Sequence, residues 1–174
     1  HPEKILEALK IKNPYQISRA IGWCKSNLVF PQNLNDEIIT TIRRHIRISP
    51  RDFTLDTFKN SWETYENYLT KNRIYSHDDL LIKYIQLLED PSYLETRQYL
   101  YRHLFVDEFQ DSTRAHIEIY QRLVGNKASI SVVGDPDQSI FSFAGSSEKY
   151  LNDFCNYFPG ASIEFLSTNY RSTK

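Results

Sequence analysis

The chain has no methionine, two cysteines, five glycines and no long hydrophobic run, and each scarcity narrows what it can be. Cys24 and Cys155 are too few for a disulfide framework and lack metal-ligand spacing, which leaves a reducing compartment as the default. No stretch approaches the roughly 18 apolar residues that a membrane-crossing helix needs, and no signal-peptide pattern opens the sequence. Lysine and arginine number 21 against 22 aspartates and glutamates, a net charge of −1, so the chain does not coat nucleic acid by bulk charge. A complete translation product starts with methionine, whereas this sequence starts with His1, so a piece of a longer protein is expected. What remains is the composition of a soluble globular protein, 40% hydrophobic and 25% charged over 174 residues, with room for one domain or a domain and a half.

Charge is unevenly spread. Residues 1–51 carry nine basic and four acidic side chains, and residues 106–174 carry six basic and nine acidic ones. A basic front and an acidic back suit a chain that holds an anion with one part and a cation with the other. Two solvated faces give the same imbalance by chance.

Helical periodicity dominates residues 1–101. Asn13-Pro14 reads as an N-cap with proline at the first helical position, followed by Ile17, Ala20, Ile21 and Cys24. Asp36 is positioned to cap a helix that buries Ile38, Ile39, Ile42 and Ile46, with Pro50 ending it. Thr54 is a cap for Leu55, Phe58, Trp62, Tyr65 and Leu69, which step by three and four. Ser76-His77-Asp78-Asp79 resembles a capping box with Asp in place of Glu. It precedes Leu80, Leu81, Tyr84, Leu87 and Leu88, and Asp90-Pro91 starts another short helix.

After residue 101 the period changes. Leu104-Phe105-Val106 ends in Asp107-Glu108, Ile130-Ser131-Val132-Val133 ends in Gly134-Asp135, and Ile163-Glu164-Phe165-Leu166 is a third short run. Helical patterns at about 113–124 and 147–157 separate them. Short buried strands alternating with helices predict an α/β unit with a parallel sheet, and ligands of such sheets sit at the carboxyl ends of the strands.

Two of the three runs end in acids. Asp107 or Glu108 can hold Mg²⁺, a hard ion that favours oxygen ligands, while the other accepts a proton from an attacking water. That is the second half of a nucleotide-triphosphatase site; acids after a strand also simply cap the next helix. Gln138 offers a donor and an acceptor, which suits a group that senses a terminal phosphate. Phe141 and Phe143 stack on the bases of a single strand or pack beneath their own loop. Arg171 is a phosphate contact or a surface arginine. Arg43, Arg47 and Arg51, at intervals of four, track a DNA backbone or form a solvated helix face.

Together these residues resemble the UvrD/Rep/PcrA group of superfamily 1 DNA helicases. Val106-Asp107-Glu108-Phe109-Gln110-Asp111 is similar to that family's Walker B motif, residues 133–146 to its motif III, and Leu166 to Arg171 to its motif IV. Weaker similarity reaches upstream, where Lys25-Ser26-Asn27-Leu28 and Asp78-Asp79-Leu80-Leu81 look like stretches of a helical subdomain inserted in the first motor domain. The resemblance implies a P-loop NTPase (RecA-like) parallel sheet, here partial and spanning 102–174, preceded by an all-α helical subdomain at 1–101. It implies an ATP-dependent DNA helicase that couples Mg-ATP hydrolysis to movement on single-stranded DNA and duplex unwinding, usually 3′ to 5′, in repair, replication or recombination. By the same resemblance Asp107 helps hold Mg²⁺, Glu108 activates water, Gln138 couples the γ-phosphate to DNA, Arg171 touches the γ-phosphate, and Phe141 and Phe143 stack on bases.

Two positions depart from the family pattern: Phe143 replaces the usual tryptophan and Ala144 the usual arginine. No Gly-x-Gly-Lys-Thr/Ser phosphate loop occurs, although its N–H cradle and Lys bind the triphosphate. A phosphate-loop segment and a second motor domain are therefore expected elsewhere in the same protein, and the isolated chain is expected to hydrolyse no ATP. Two other readings stay open. One is a degenerate helicase-like module that binds DNA or a partner without turnover, and the other is the motor part of a helicase–nuclease subunit. An intracellular site is expected, in a bacterial cytoplasm or a eukaryotic nucleus or mitochondrion.

Overall fold

A computed structural model describes residues 2–138 and 149–168. Six helices come first: α1 (Pro2–Ala8), α2 (Pro14–Ser26), α3 (Asp36–Ile46), α4 (Leu55–Asn72), α5 (His77–Leu87) and α6 (Pro91–Leu100). Strand β1 (His103–Val106), helix α7 (Arg114–Val124) and strand β2 (Ser129–Val132) follow, and then two short helices, α8 (Lys149–Asn152) and α9 (Phe154–Tyr157). Among the described residues no helix is long and apolar enough to cross a membrane.

The expected apolar faces of α2, α3 and α4 are buried, whereas that of α5 is corrected: Leu80 and Leu87 are 55% and 51% exposed, and Ile85 takes the buried side. Ile17, Ala20, Ile21 and Cys24 of α2, Ile39, Ile42 and Ile46 of α3, and Phe58, Trp62, Tyr65 and Leu69 of α4 form one apolar core with Leu6, Leu34 and Phe53. Burying one side chain of this size contributes roughly 1.5–3 kcal/mol. Burial also pushes the Cys24 thiol up, so it packs as a small hydrophobe.

A second core joins Ile85 and Leu88, in and just after α5, to Ala115, Ile119 and Leu123 of α7, with Tyr93 and Leu94 of α6 packed on it. Helices α5 and α6 are thus seated directly on the helix that connects the two strands.

The capping expectations are met at Thr54, whose box closes with Thr57, and at Ser76, whose box closes with Asp79. They are corrected elsewhere. Asn35, not Asp36, caps α3, because its side chain reaches the Ile38 N–H at 2.9 Å. Asn13 lies in the left-handed region with no side-chain cap bond. The third helix stops at Ile46, with Arg47 left-handed as its C-cap, four residues before Pro50.

Buried between α2, α4 and α5 is a charged cluster. Lys25 is 4% exposed. Its Nζ lies 2.5 Å from Asp79 Oδ1, 2.7 Å from Glu66 Oε1 and 5.7 Å from the Tyr65 ring centroid. Trp62 Nε1 donates to the same Glu66 oxygen at 2.9 Å. Burial pushes the Asp79 carboxyl up, but bonds from Lys25 and Ser76 outweigh it and hold the group below the usual carboxylate range. Neighbouring Asp78 goes the other way, because burial outweighs the pull of Lys25 and His77.

The two strands pair in parallel, with Leu104 opposite Ile130 and Val106 opposite Val132. Val106, Ile130 and Val132 pack on a third core of Phe109, Ile117, Tyr150, Phe154 and Phe158. The other face is open: His103, Ser129 and Ser131 are exposed, and Phe105 is 77% exposed. The expected third strand does not form among the described residues. Residues 161–168 carry no regular structure, and Phe165 and Leu166 are 88% and 91% exposed. An apolar run becomes a strand only when a neighbour takes its N–H and C=O groups, and among the described residues the sheet holds β1 and β2 alone. The expected helix at 147–157 is two short ones, broken at Asp153.

His116 closes the N-terminus of α7. Its Nδ1 accepts the Thr113 N–H at 3.1 Å and lies 2.9 Å from Thr113 Oγ1, so the ring proton sits on Nε2. Burial, with the nearby His77, pushes this imidazole below its ordinary value of 6.5. The unfolded chain therefore binds the proton more readily than the folded one. The His116 contribution is complete above pH 6.5 and is lost as the pH falls towards the lower folded-state pKa. Thermal melts below pH 7 are expected to show this slope, and His116→Gln, which keeps a capping acceptor, is expected to flatten it. An unchanged slope in the variant assigns the effect elsewhere.

Candidate functional site

Both strands end at the same rim. β1 runs into Asp107-Glu108 and a 3-10 turn at Phe109–Asp111, and β2 runs through Val133-Gly134-Asp135 into a 3-10 turn at Pro136–Gln138. Backbone bonds lock the two exits together. The Phe109 N–H donates to the Val133 carbonyl at 2.9 Å, and the Val133 N–H donates to the Val106 carbonyl at 2.9 Å.

Asp107 and Glu108 are both exposed. Asp107 Oδ1 accepts the Glu108 N–H at 2.9 Å. Glu108 has φ 51° and ψ 43°, left-handed for a residue with a Cβ. That conformation costs roughly 1–2 kcal/mol, and strain of this kind is held in place by its surroundings. Here Phe109, fully buried under the turn, is the anchor. Left-handed geometry turns the chain sharply, so the carboxylate stands at the rim while the next residue dives into the core.

Gln110 is 1% exposed. Its Nε2 donates to Glu108 Oε2 at 2.7 Å, and its Oε1 accepts the Asp135 N–H at 3.0 Å. Asp135 Oδ2 in turn accepts from Gln138 Nε2 at 2.7 Å, and Asp135 Oδ1 accepts the Asp137 N–H at 3.0 Å. Glu108 and Gln138, far apart in sequence, are thus members of one hydrogen-bonded chain with Asp107 beside them. Gly134 makes room for it, since a Cβ there would lie 2.7 Å from Gln110 Oε1 and 3.2 Å from the Gln110 backbone nitrogen.

Gln110, Gly134 and Asp135 carry no role that sequence alone assigns. Their signal is a glutamine two residues after a strand-end acid, facing a glycine after the neighbouring strand. It is read only once the two strands are known to be adjacent.

Phe141, Phe143, Ala144 and Arg171 lie outside the described residues. Arg43 and Arg47 lie within them, but the interval of four does not continue as a helix face, because α3 ends at Ile46. Arg43 Nε donates to the Phe53 carbonyl at 2.7 Å and closes the loop after α3. Arg47 is exposed.

Residues 3–159 match the family model described as UvrD/REP helicase N-terminal domain. The chain is 32% identical over 155 residues to the ATP-dependent DNA helicase UvrD2 of Mycobacterium tuberculosis, covering 88% of this chain and 22% of that protein. It is 32% identical over 143 residues to the ATP-dependent DNA helicase PcrA of Staphylococcus epidermidis, covering 82% and 19%. To the ATP-dependent DNA helicase srs2 of Schizosaccharomyces pombe it is 34% identical over 114 residues, covering 65% and 12%. The chain therefore spans about a fifth or less of the length of these relatives.

Proposed function

Because the chain belongs to the UvrD/REP helicase N-terminal domain family, we propose that it supplies the Walker B and motif III half of an ATP-hydrolysing motor that moves on single-stranded DNA and unwinds duplex. In this reading residues 1–101 are a helical subdomain inserted in the first motor domain and 102–174 the second half of its RecA-like core. The observation that carries it is the hydrogen-bonded chain that puts Glu108 and Gln138 on one rim, beside Asp107.

The donor set fits Mg²⁺ better than a metal caged by protein. No group of three or more His, Cys, Asp or Glu side chains that could hold a metal occurs among the described residues. Asp107 presents a hard oxygen at an exposed strand end, so phosphate and water oxygens would complete the shell, as Mg²⁺ prefers. Bound there, the ion neutralises phosphate charge. Glu108 takes a proton from the attacking water, and Gln138 reports the presence of the terminal phosphate along the chain through Asp135. Arg171 contacts that phosphate, and Phe141 and Phe143 stack on bases. The polarity is 3′ to 5′, and the site of action is intracellular.

The test is ATP turnover by the intact protein with Mg²⁺, with and without single-stranded DNA. Turnover stimulated by DNA is expected, together with none from the isolated 174-residue chain. Intact protein that binds DNA but never hydrolyses ATP would replace this reading with the degenerate module. A salt titration examines the basic front: Arg47→Gln is expected to lessen the log–log salt slope of single-strand binding by about 0.7, the value of one phosphate contact. Arg47 is the sharper probe, since replacing Arg43 also opens its loop. An unchanged slope removes the arginine track.

A further inference from the structure

We propose that Gln110 is the positioning residue that fixes the Glu108 carboxylate and yokes it to the loop after β2, so that the two strand exits respond as one. The inference rests on the reading of Glu108 as the group that activates water.

The orientation of the Gln110 amide is forced by its partners. The Asp135 backbone N–H can only donate, so the atom 3.0 Å from it is the amide oxygen. The Glu108 carboxylate can only accept, so the atom 2.7 Å from it is the amide nitrogen. A planar group buried to 1% exposure and held at both ends has one conformation. Glutamate would keep the oxygen for Asp135 and set a like charge against Glu108. Methionine would fill the space and make neither bond. Asparagine is one methylene too short to keep both. Gly134 completes the arrangement, because a side chain there would meet Gln110 Oε1 at 2.7 Å.

The consequence is mechanical. Glu108 sits in a strained left-handed turn, where a free carboxylate would sample several rotamers. Gln110 selects one of them, and because its other end is tied to Asp135, a shift of the Asp135–Gln138 loop is carried to Glu108 without a contact between the two end residues.

Gln110→Met and Gln110→Glu separate this role from that of a loop staple. Gln110→Met loses both bonds, whereas Gln110→Glu keeps the bond to Asp135 and replaces the one to Glu108 with a like-charge contact. In the intact protein both are expected to lower kcat for ATP by about 10–100-fold, as loss of a residue that orients a reacting group does, with KM changed less than about threefold. Hydrogen exchange of the Asp135 amide gives a readout free of activity, and is expected to speed up in Gln110→Met and stay slow in Gln110→Glu. Gln110→Glu turnover within twofold of the parent overturns the proposal, and so does unchanged Asp135 exchange in Gln110→Met. Glu108→Gln is the control. If it leaves turnover intact, the reading of the site has failed; if it abolishes turnover while both Gln110 variants are unaffected, only this inference has.

Discussion

Lys25→Met is expected to destabilise the chain by about 3–5 kcal/mol, the usual result of removing one partner from a buried ion cluster. The loss is not that of a surface salt bridge. Lys25 is 4% exposed and sits between Asp79 and Glu66, with Asp78 nearby. Without the ammonium, Asp79 keeps its Ser76 bonds but has no counter-ion in a site where burial already penalises its charge. The damage is expected to spread, because Lys25 of α2 ties Glu66 of α4 to Asp79 of α5. Urea denaturation measures the loss. Lys25→Met/Asp79→Asn, which removes the charge but keeps an acceptor for the capping box, is expected to recover a substantial part of it. A Lys25→Met loss below about 1 kcal/mol would class the cluster with exposed pairs.

Glu108→Gln is expected to cut ATP turnover of the intact protein by about 10²–10⁴-fold, the contribution of a positioned general base. Glutamine keeps the length of the side chain and an oxygen that can take the bond from Gln110 Nε2, so the rim is left standing while the proton acceptor is gone. Nucleotide affinity is expected to persist, which separates a lost base from a collapsed site. Equal losses of binding and turnover would assign Glu108 to holding the nucleotide. The strained turn favours neither residue, so a change in melting temperature beyond a degree or two would reveal a structural burden on this carboxylate.

The sequence was most legible where a local rule acted alone. Thr54 and Ser76 cap their helices because the acceptor is three residues from the N–H that needs it, and that distance is written in the order of residues. Phe58, Trp62, Tyr65 and Leu69 are buried because spacing by three and four puts them on one side. Reading failed where neighbours compete or pairing decides. Asn35 and Asp36 are both good caps, and it is Asn35, in extended backbone, whose oxygen takes the Ile38 N–H. Residues 163–166 look as strand-like as 104–106, but no described neighbour accepts their backbone groups.

The candidate site divides in the same way. Asp107, Glu108 and Gln138 are legible as acids and an amide after strands, and motif resemblance gave them roles. Their link through Gln110 and Asp135 is not legible, because it depends on the register of β1 and β2 and on the absent side chain of Gly134.

The left-handed turn at Glu108 sets an evolutionary tension. A sequence chosen for durability alone would put glycine there, relieving the backbone and removing the carboxylate that Gln110 grips. Directed evolution for heat tolerance without selection for turnover should therefore drift towards glycine at position 108 and produce a sturdier, idle protein.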